Sequence, residues 1–96
     1  MAKRGYWVVR ANVFDNEYIK YIEIATEVIK QFNGNFLIRG GNQVEYENTG
    51  YERTVVVEFK TFQDAVDCYN SSEYKLALKY ARKSSKRLVA IVEGLN

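Results

Sequence analysis

The run Arg53-Thr54-Val55-Val56-Val57-Glu58-Phe59 places β-branched side chains on consecutive positions. Successive side chains of a strand point to opposite faces, so such a strand is apolar on both sides and needs cover on both. Two other stretches read the same way. Gly5 to Val13 is apolar at Tyr6-Trp7-Val8-Val9 before Arg10 and Asn12 break one face, and Leu88-Val89-Ala90-Ile91-Val92 forms a last strand. Three strands of this kind leave neither side of their sheet suited to water.

The segments between them have helical and turn signals. Asp15 or Asn16 is the N-cap of a first helix, with Glu17 in its first turn. Its apolar stripe runs through Tyr18, Ile22, Ala25, Ile29 and Phe32, and Asn33-Gly34 closes it. Phe36-Leu37-Ile38 opens the first arm of a hairpin, which Gly40-Gly41 interrupts with a bulge or bend. The arm is expected to resume through Gln43, Val44, Glu45 and Tyr46 and to turn at Glu47-Asn48-Thr49-Gly50. Thr61 with Asp64 then forms a capping box ahead of the stripe Phe62, Ala65, Val66 and Tyr69. Asn70-Ser71-Ser72 breaks this helix, and a further piece continues through Tyr74, Ala77, Leu78 and Ala81. Ser84-Ser85-Lys86 is expected to loosen the chain before the last strand.

The order is βαββαβ in a single domain over residues 1–96, an α+β chain of the ferredoxin-like kind. Right-handed crossovers put the helices on one face of a four-stranded, antiparallel-rich sheet. The other face then bares an apolar patch on the order of several hundred Å². At roughly 25 cal/mol per Å², covering it is worth several kcal/mol, which predicts two chains packed sheet against sheet as a dimeric α/β barrel.

Absences narrow the chemistry. The chain has no His and one Cys, which excludes an imidazole base, a histidine-ligated metal or haem, and an intramolecular disulfide. Cys68 falls inside a helical pattern and reads as a packed thiol. Fourteen basic against 12 acidic residues leave a net charge of +2. Lys3-Arg4 and Lys79 to Arg87 are short basic clusters that read as solvated faces, so no nucleic-acid partner is expected. No apolar run is long enough for a membrane span or a leader, which predicts a cytoplasmic protein. No metal and no cofactor is expected.

Several blocks, Gly5-Tyr6-Trp7-Val8, Phe36 to Gly41, Arg53 with Val55 to Phe59, Ala65 with Tyr69 to Tyr74, and Leu88 to Gly94, resemble the DUF1330 family over nearly the whole chain. The resemblance implies the dimeric α/β barrel and no established reaction. Two positions depart from the family: Cys68 stands where a Trp is common, and Ser71-Ser72-Glu73-Tyr74 replaces a Ser-Pro-Glu-Tyr turn. The wider superfamily includes cofactor-independent monooxygenases and lactone isomerases, analogies of fold alone.

The charged residues in the hairpin are the chemical candidates. Arg39 ends an apolar strand and can hold a carboxylate, or it can pair with Glu58 or Glu45. Glu58 interrupts an apolar strand and is either paired or a base, and Glu45 shares both readings. Arg53 is a second anion contact or a solvated strand end, and Arg82 reads as a surface residue. Tyr6, Tyr69 and Tyr74, with Trp7, either line a pocket, with Tyr74 at its edge, or are core. Two functions stand. One is a homodimer that binds a small organic anion through Arg39 and Arg53. The other is a cofactor-independent isomerase or monooxygenase, with Glu58 or Glu45 as base and Arg39 stabilising the developing charge.

Overall fold

The structure is a computed structural model that describes residues 2–47 and 49–96. Strand β1 (Gly5–Val13) leads to helix α1 (Tyr18–Gln31), then strands β2 (Asn35–Arg39) and β3 (Arg53–Phe59). Helices α2 (Phe62–Asn70) and α3 (Ser72–Ser84) precede strand β4 (Ser85–Glu93). The sheet order is β2-β3-β1-β4 and all three pairings are antiparallel, the ferredoxin-like arrangement.

The alternation of β1 decides which side is core. Gly5, Trp7, Val9 and Ala11 are buried beneath the helices, while Tyr6, Val8, Arg10 and Asn12 point to the open face. Across the β1–β3 ladder Trp7 meets Val57 and Val9 meets Val55 on the helix side, and Tyr6 meets Glu58 and Val8 meets Val56 on the open side. Trp7 sits at the centre of the core, its ring packed on Phe59, Tyr69 and Tyr74. Its indole N–H donates to the Ala65 carbonyl at 2.8 Å, so its polar atom is satisfied inside. Cys68 is buried among these groups, and desolvation pushes its thiol up to about 12, which leaves it protonated and inert.

Helix ends follow local chemistry. Neither Asp15 nor Asn16 is the N-cap of α1: Asp15 Oδ1 accepts from the Glu17 N–H at 2.9 Å in the turn before the helix, and Glu17, expected inside the first turn, stands at the N-cap itself without a side-chain cap bond. At the other end Asn33, at φ 61°, takes the left-handed position, and Gly34 N–H bonds to Ile29 O at 2.8 Å while Asn33 N–H bonds to Lys30 O at 3.0 Å, a Schellman closure. Thr61 and Ser71 cap α2 and α3, their hydroxyls accepting from Asp64 N–H at 3.0 Å and Tyr74 N–H at 3.1 Å. The helix break therefore holds without a proline.

Two expectations are corrected. The first hairpin arm does not resume at Gln43 to Tyr46, because Gly40 and Gly41, at φ 73° and 95°, turn the chain out of the extended region. Those residues fold over the open face instead, where Gln43 Oε1 accepts from the Thr54 hydroxyl and Glu45 accepts from Arg10. Nor does the chain loosen at Ser84-Ser85-Lys86. Helix α3 passes straight into β4, and both serines are buried, donating to the Tyr80 and Ala81 carbonyls as continuations of the helix. The expected turn at Glu47 to Gly50 includes Asn48, which lies outside the described residues; Gly50 has φ 106°.

The close approach of β1 to the start of α2 depends on Gly5. A Cβ there would lie 2.5 Å from Phe62 Cα and 2.7 Å from Thr61 O, both backbone atoms that cannot rotate away. Gly5→Ala is expected to lower stability by about 1–3 kcal/mol through overpacking, read as a lower urea midpoint at unchanged slope. An unchanged midpoint would show that α2 can retreat from β1.

Candidate functional site

One extra residue in β2 aims the site. Asn35 pairs with Glu58 and Phe36 with Val57, then the register slips so that Ile38 faces Val56 and Arg39 faces Val55. Leu37 is the bulged residue. An unbroken register would set Arg39 opposite Thr54, on the open face with Arg10. The slip of one moves it to the helix face.

There the Arg39 Nη2 donates to the Thr26 hydroxyl of α1 at 2.6 Å, and that hydroxyl donates on to the Ile22 carbonyl at 2.6 Å. The guanidinium stacks over the Phe36 ring, 4.1 Å from its centroid, which limits its orientation. Arg53 enters from β3 opposite Ala11, two residues from the Val55 that faces Arg39. This diagonal relation puts the two side chains roughly 7–8 Å apart at their bases, within reach of one anion. Gly40 makes room for it: a Cβ at that residue would lie 2.6 Å from Arg53 Nη1.

Arg39 and Arg53 line a slot between the sheet and α1, of about 30 Å³, whose walls include Trp7, Tyr18, Tyr21 and Phe36. At Tyr18 and Arg53 it meets a wider recess of about 350 Å³ that also touches Gly40, Gly41 and Glu52. The Nε of Arg53 is buried and has no hydrogen-bond partner. A buried donor of a charged group left unpaired is costly, and an incoming acceptor relieves that cost. No Asp or Glu is among the residues lining the slot.

The carboxylates stand elsewhere. Glu58 is on the open face, where its Oε2 accepts from the Tyr6 hydroxyl at 3.0 Å and its Oε1 lies 3.6 Å from Arg4 Nη1. The bond to Glu58 raises the Tyr6 pKa above its ordinary value. Glu45 Oε1 accepts from Arg10 Nη2 at 2.9 Å and from the Tyr51 N–H at 3.2 Å. Arg4–Glu58 and Arg10–Glu45 are the ion pairs among the described residues, so Arg39 pairs with neither glutamate. The sheet separates the acids from the slot.

Of the aromatic candidates, Trp7 reaches the slot wall. Tyr74 is fully buried behind it, the ring centroids 4.9 Å apart, and does not form a pocket edge. Its hydroxyl shares a 2.7 Å hydrogen bond with Tyr21 and accepts from Arg87 Nη2 at 3.2 Å. Burial raises the pKa of both phenols, so both stay protonated. Burial works against the charge of Arg87, but its hydrogen bond to the Tyr74 hydroxyl and its place against the Tyr21 ring favour the guanidinium, which stays charged. Tyr69 faces away from the slot, toward a groove on α3. Sequence reasoning missed Tyr18, Tyr21, Thr26 and Phe36. A helical wheel of α1 contained the signal, because Thr26 follows Ile22 by four residues and is a hydroxyl beside an apolar stripe.

The fold recurs among solved structures of low sequence identity. The protein of unknown function RPA0582 from Rhodopseudomonas palustris matches with a TM-score of 0.75 at 10% identity, over 100% of this chain and 85% of that one. SnoaB from Streptomyces nogalater, described as a cofactor-independent oxygenase, matches with a TM-score of 0.64 at 10% identity, over 99% of this chain and 96% of its own. A protein of unknown function from Thermobifida fusca, described as dimeric and ferredoxin-like, matches with a TM-score of 0.57 at 10% identity, over 98% and 93% of the two chains. No protein of curated function matches this chain. No helix among the described residues is long and apolar enough to cross a membrane. The family model described as a domain of unknown function, DUF1330, matches residues 4–95, and the chain belongs to that family.

Proposed function

We propose that the protein is a homodimer that binds a small organic anion, a carboxylate with a short apolar or aromatic body, between the sheet and α1. Arg39 and Arg53 hold the anionic end at the mouth of the slot, and the apolar body lies in the wider recess beside Val13, Tyr18 and Gly41. The observation that carries this reading is the buried, unpaired Nε of Arg53 on the same slot as Arg39, with no acid beside them in its lining. Charge-assisted hydrogen bonds at a site of this kind each contribute roughly 1.5–3 kcal/mol. The dimer follows from the open face. Val8, Ile38, Leu88 and Val92 remain exposed there on neighbouring strands, an apolar surface that a second sheet covers. Similar folds described as dimeric support this.

The fold of SnoaB supports a second reading, a cofactor-independent monooxygenase or isomerase. Because Glu58 and Glu45 face away from Arg39, such chemistry would use the space between the two sheets, with Arg4 or Arg10 as the nearby cation. Oxygen consumption with a hydroxylated aromatic substrate, lost in Glu58→Gln, separates this reading from binding alone.

Titration with acetate, butyrate and benzoate tests the anion site. Saturable binding is expected, strongest for benzoate, and Arg39→Gln or Arg53→Gln should weaken it roughly 10-fold or more. No saturable binding, or binding indifferent to both substitutions, overturns the proposal.

Deleting Leu37 tests how the site is aimed. The deletion removes the extra residue and leaves Ile38 opposite Val56 and Arg39 opposite Val55 in an unbroken register, so Arg39 keeps the helix face and benzoate binding should survive, with the far-ultraviolet circular dichroism still that of an α+β fold. Lost binding in a folded protein would show that the bend at the bulge, and not only the face that Arg39 occupies, aims the guanidinium.

Sedimentation tests the assembly. The wild type is expected to be a dimer, and Val8→Lys with Leu88→Lys is expected to be a folded monomer, since each chain would bring two like charges beside Arg10 into the covered face. A monomeric wild type would overturn sheet-to-sheet pairing.

A further inference from the structure

A second surface of the molecule shows the chemistry of an anion site, remote in its lining from the slot. Where α2 ends and α3 runs down to β4, two adjoining grooves share Tyr69, Leu78 and Arg82. The inner one, about 330 Å³, adds Ala81, Ser85, Arg87 and Val89. The outer one, about 380 Å³, adds Asn70, Lys75 and Lys79. The combined lining holds four cations, Lys75, Lys79, Arg82 and Arg87, and no acid.

Ordinary helix electrostatics accounts for only part of this. Arg82 and Lys83 lie in the last turn of α3, where cations complement the helix dipole. Lys75 lies near the start of the helix, where the dipole disfavours a cation. Lys75 and Lys79 stand four residues apart, so they repel each other, and no acidic residue in the groove offsets the repulsion. None of the four belongs to an ion pair among the described residues.

Arg87 marks the inner end. Its Nη2 donates to the Tyr74 hydroxyl and its guanidinium lies 4.8 Å from the Tyr21 ring centroid, an arrangement that fixes the side chain. The Nε and Nη1 donors are buried and have no acceptor in the protein. An anion at this end of the groove supplies the missing acceptor with a small shift of the side chain. From Lys75 to Arg82 the helix rises about 10 Å, too far for one carboxylate to engage the whole row and suited to linked anionic groups.

We propose that this groove binds a small molecule bearing linked phosphates, with Arg82 and Arg87 gripping one phosphate and Lys79 and Lys75 the next. Guanidinium forks match phosphate oxygens, and lysines act as point charges beside them. The proposal is independent of the anion site at Arg39 and Arg53, because the two linings share no residue.

Titration of the full chain with inorganic pyrophosphate, at a fixed ionic strength of about 0.15 M to damp nonspecific attraction, tests it. One saturable site per chain is expected, with orthophosphate and sulfate binding at least 10-fold more weakly. Arg82→Gln and Lys79→Gln, both solvent-facing changes that spare the core, should each weaken pyrophosphate binding about 10-fold, whereas Arg39→Gln should leave it unchanged. Benzoate binding should in turn be unaffected by Arg82→Gln. The proposal is overturned by the absence of saturable binding, by equal affinity for sulfate, or by loss of pyrophosphate binding in Arg39→Gln. A single-stranded oligonucleotide that displaces pyrophosphate at higher affinity would equally overturn it, making the groove a nucleic-acid surface instead.

Discussion

The packing of Trp7 is the interaction on which the rest of the structure depends. Its ring sits on the middle strand pair and touches aromatic side chains from β3, α2 and α3, while its N–H bonds to the α2 backbone. One residue thus ties the sheet to two of the three helices. Because strand side chains alternate, fixing Trp7 inward also fixes Tyr6, Val8 and Arg10 outward. The open face and its ion pairs follow from that single orientation.

Against this regular alternation, one irregularity creates the site. The bulge at Leu37 reverses the direction of the last residue of β2, so a guanidinium that the alternation would send to the open face enters the helix side. Gly40 then opens the space through which Arg53 approaches the same slot. Two cations meet near an apolar wall while Glu58 and Glu45 are held on the other side, by Tyr6 and Arg4 in one case and Arg10 in the other. A sheet is an efficient separator of charge. The loop after Gly41 contributes by covering part of the open face and holding Glu45 there.

The buried Tyr21–Tyr74–Arg87 group adds a link between the two cationic surfaces. Tyr21 forms part of the slot wall, and Arg87 lies at the inner end of the α3 groove. A hydrogen bond of 2.7 Å joins the two phenols and one of 3.2 Å joins Tyr74 to the guanidinium. The two phenols and the Arg87 Nη2 are therefore held by each other, which makes them a rigid partition, while the Arg87 Nε and Nη1 remain without an acceptor in the protein.

The sequence alone determined the strands, the helices and the order in which they pack. Val55 to Val57 and Tyr6 to Val9 announce interior strands, and Thr61 and Ser71 announce caps, because these signals depend on nearest neighbours in the chain. It also determined that Arg39, Arg53, Glu45 and Glu58 lie on or beside the hairpin. It did not determine which way they point. Gly40-Gly41 read as a bend within a continuing strand, whereas the chain leaves the sheet there, and Ser84-Ser85 read as a loop, whereas both hydroxyls satisfy helix carbonyls in a buried corner. Only the tertiary structure decided that the bulge falls at Leu37, that Arg39 meets Thr26 rather than a glutamate, and that Tyr74 is core. The reason is physical: a strand slip of one residue costs little in local propensity, yet it exchanges the two faces of the sheet, and only the packing of the whole chain selects between them.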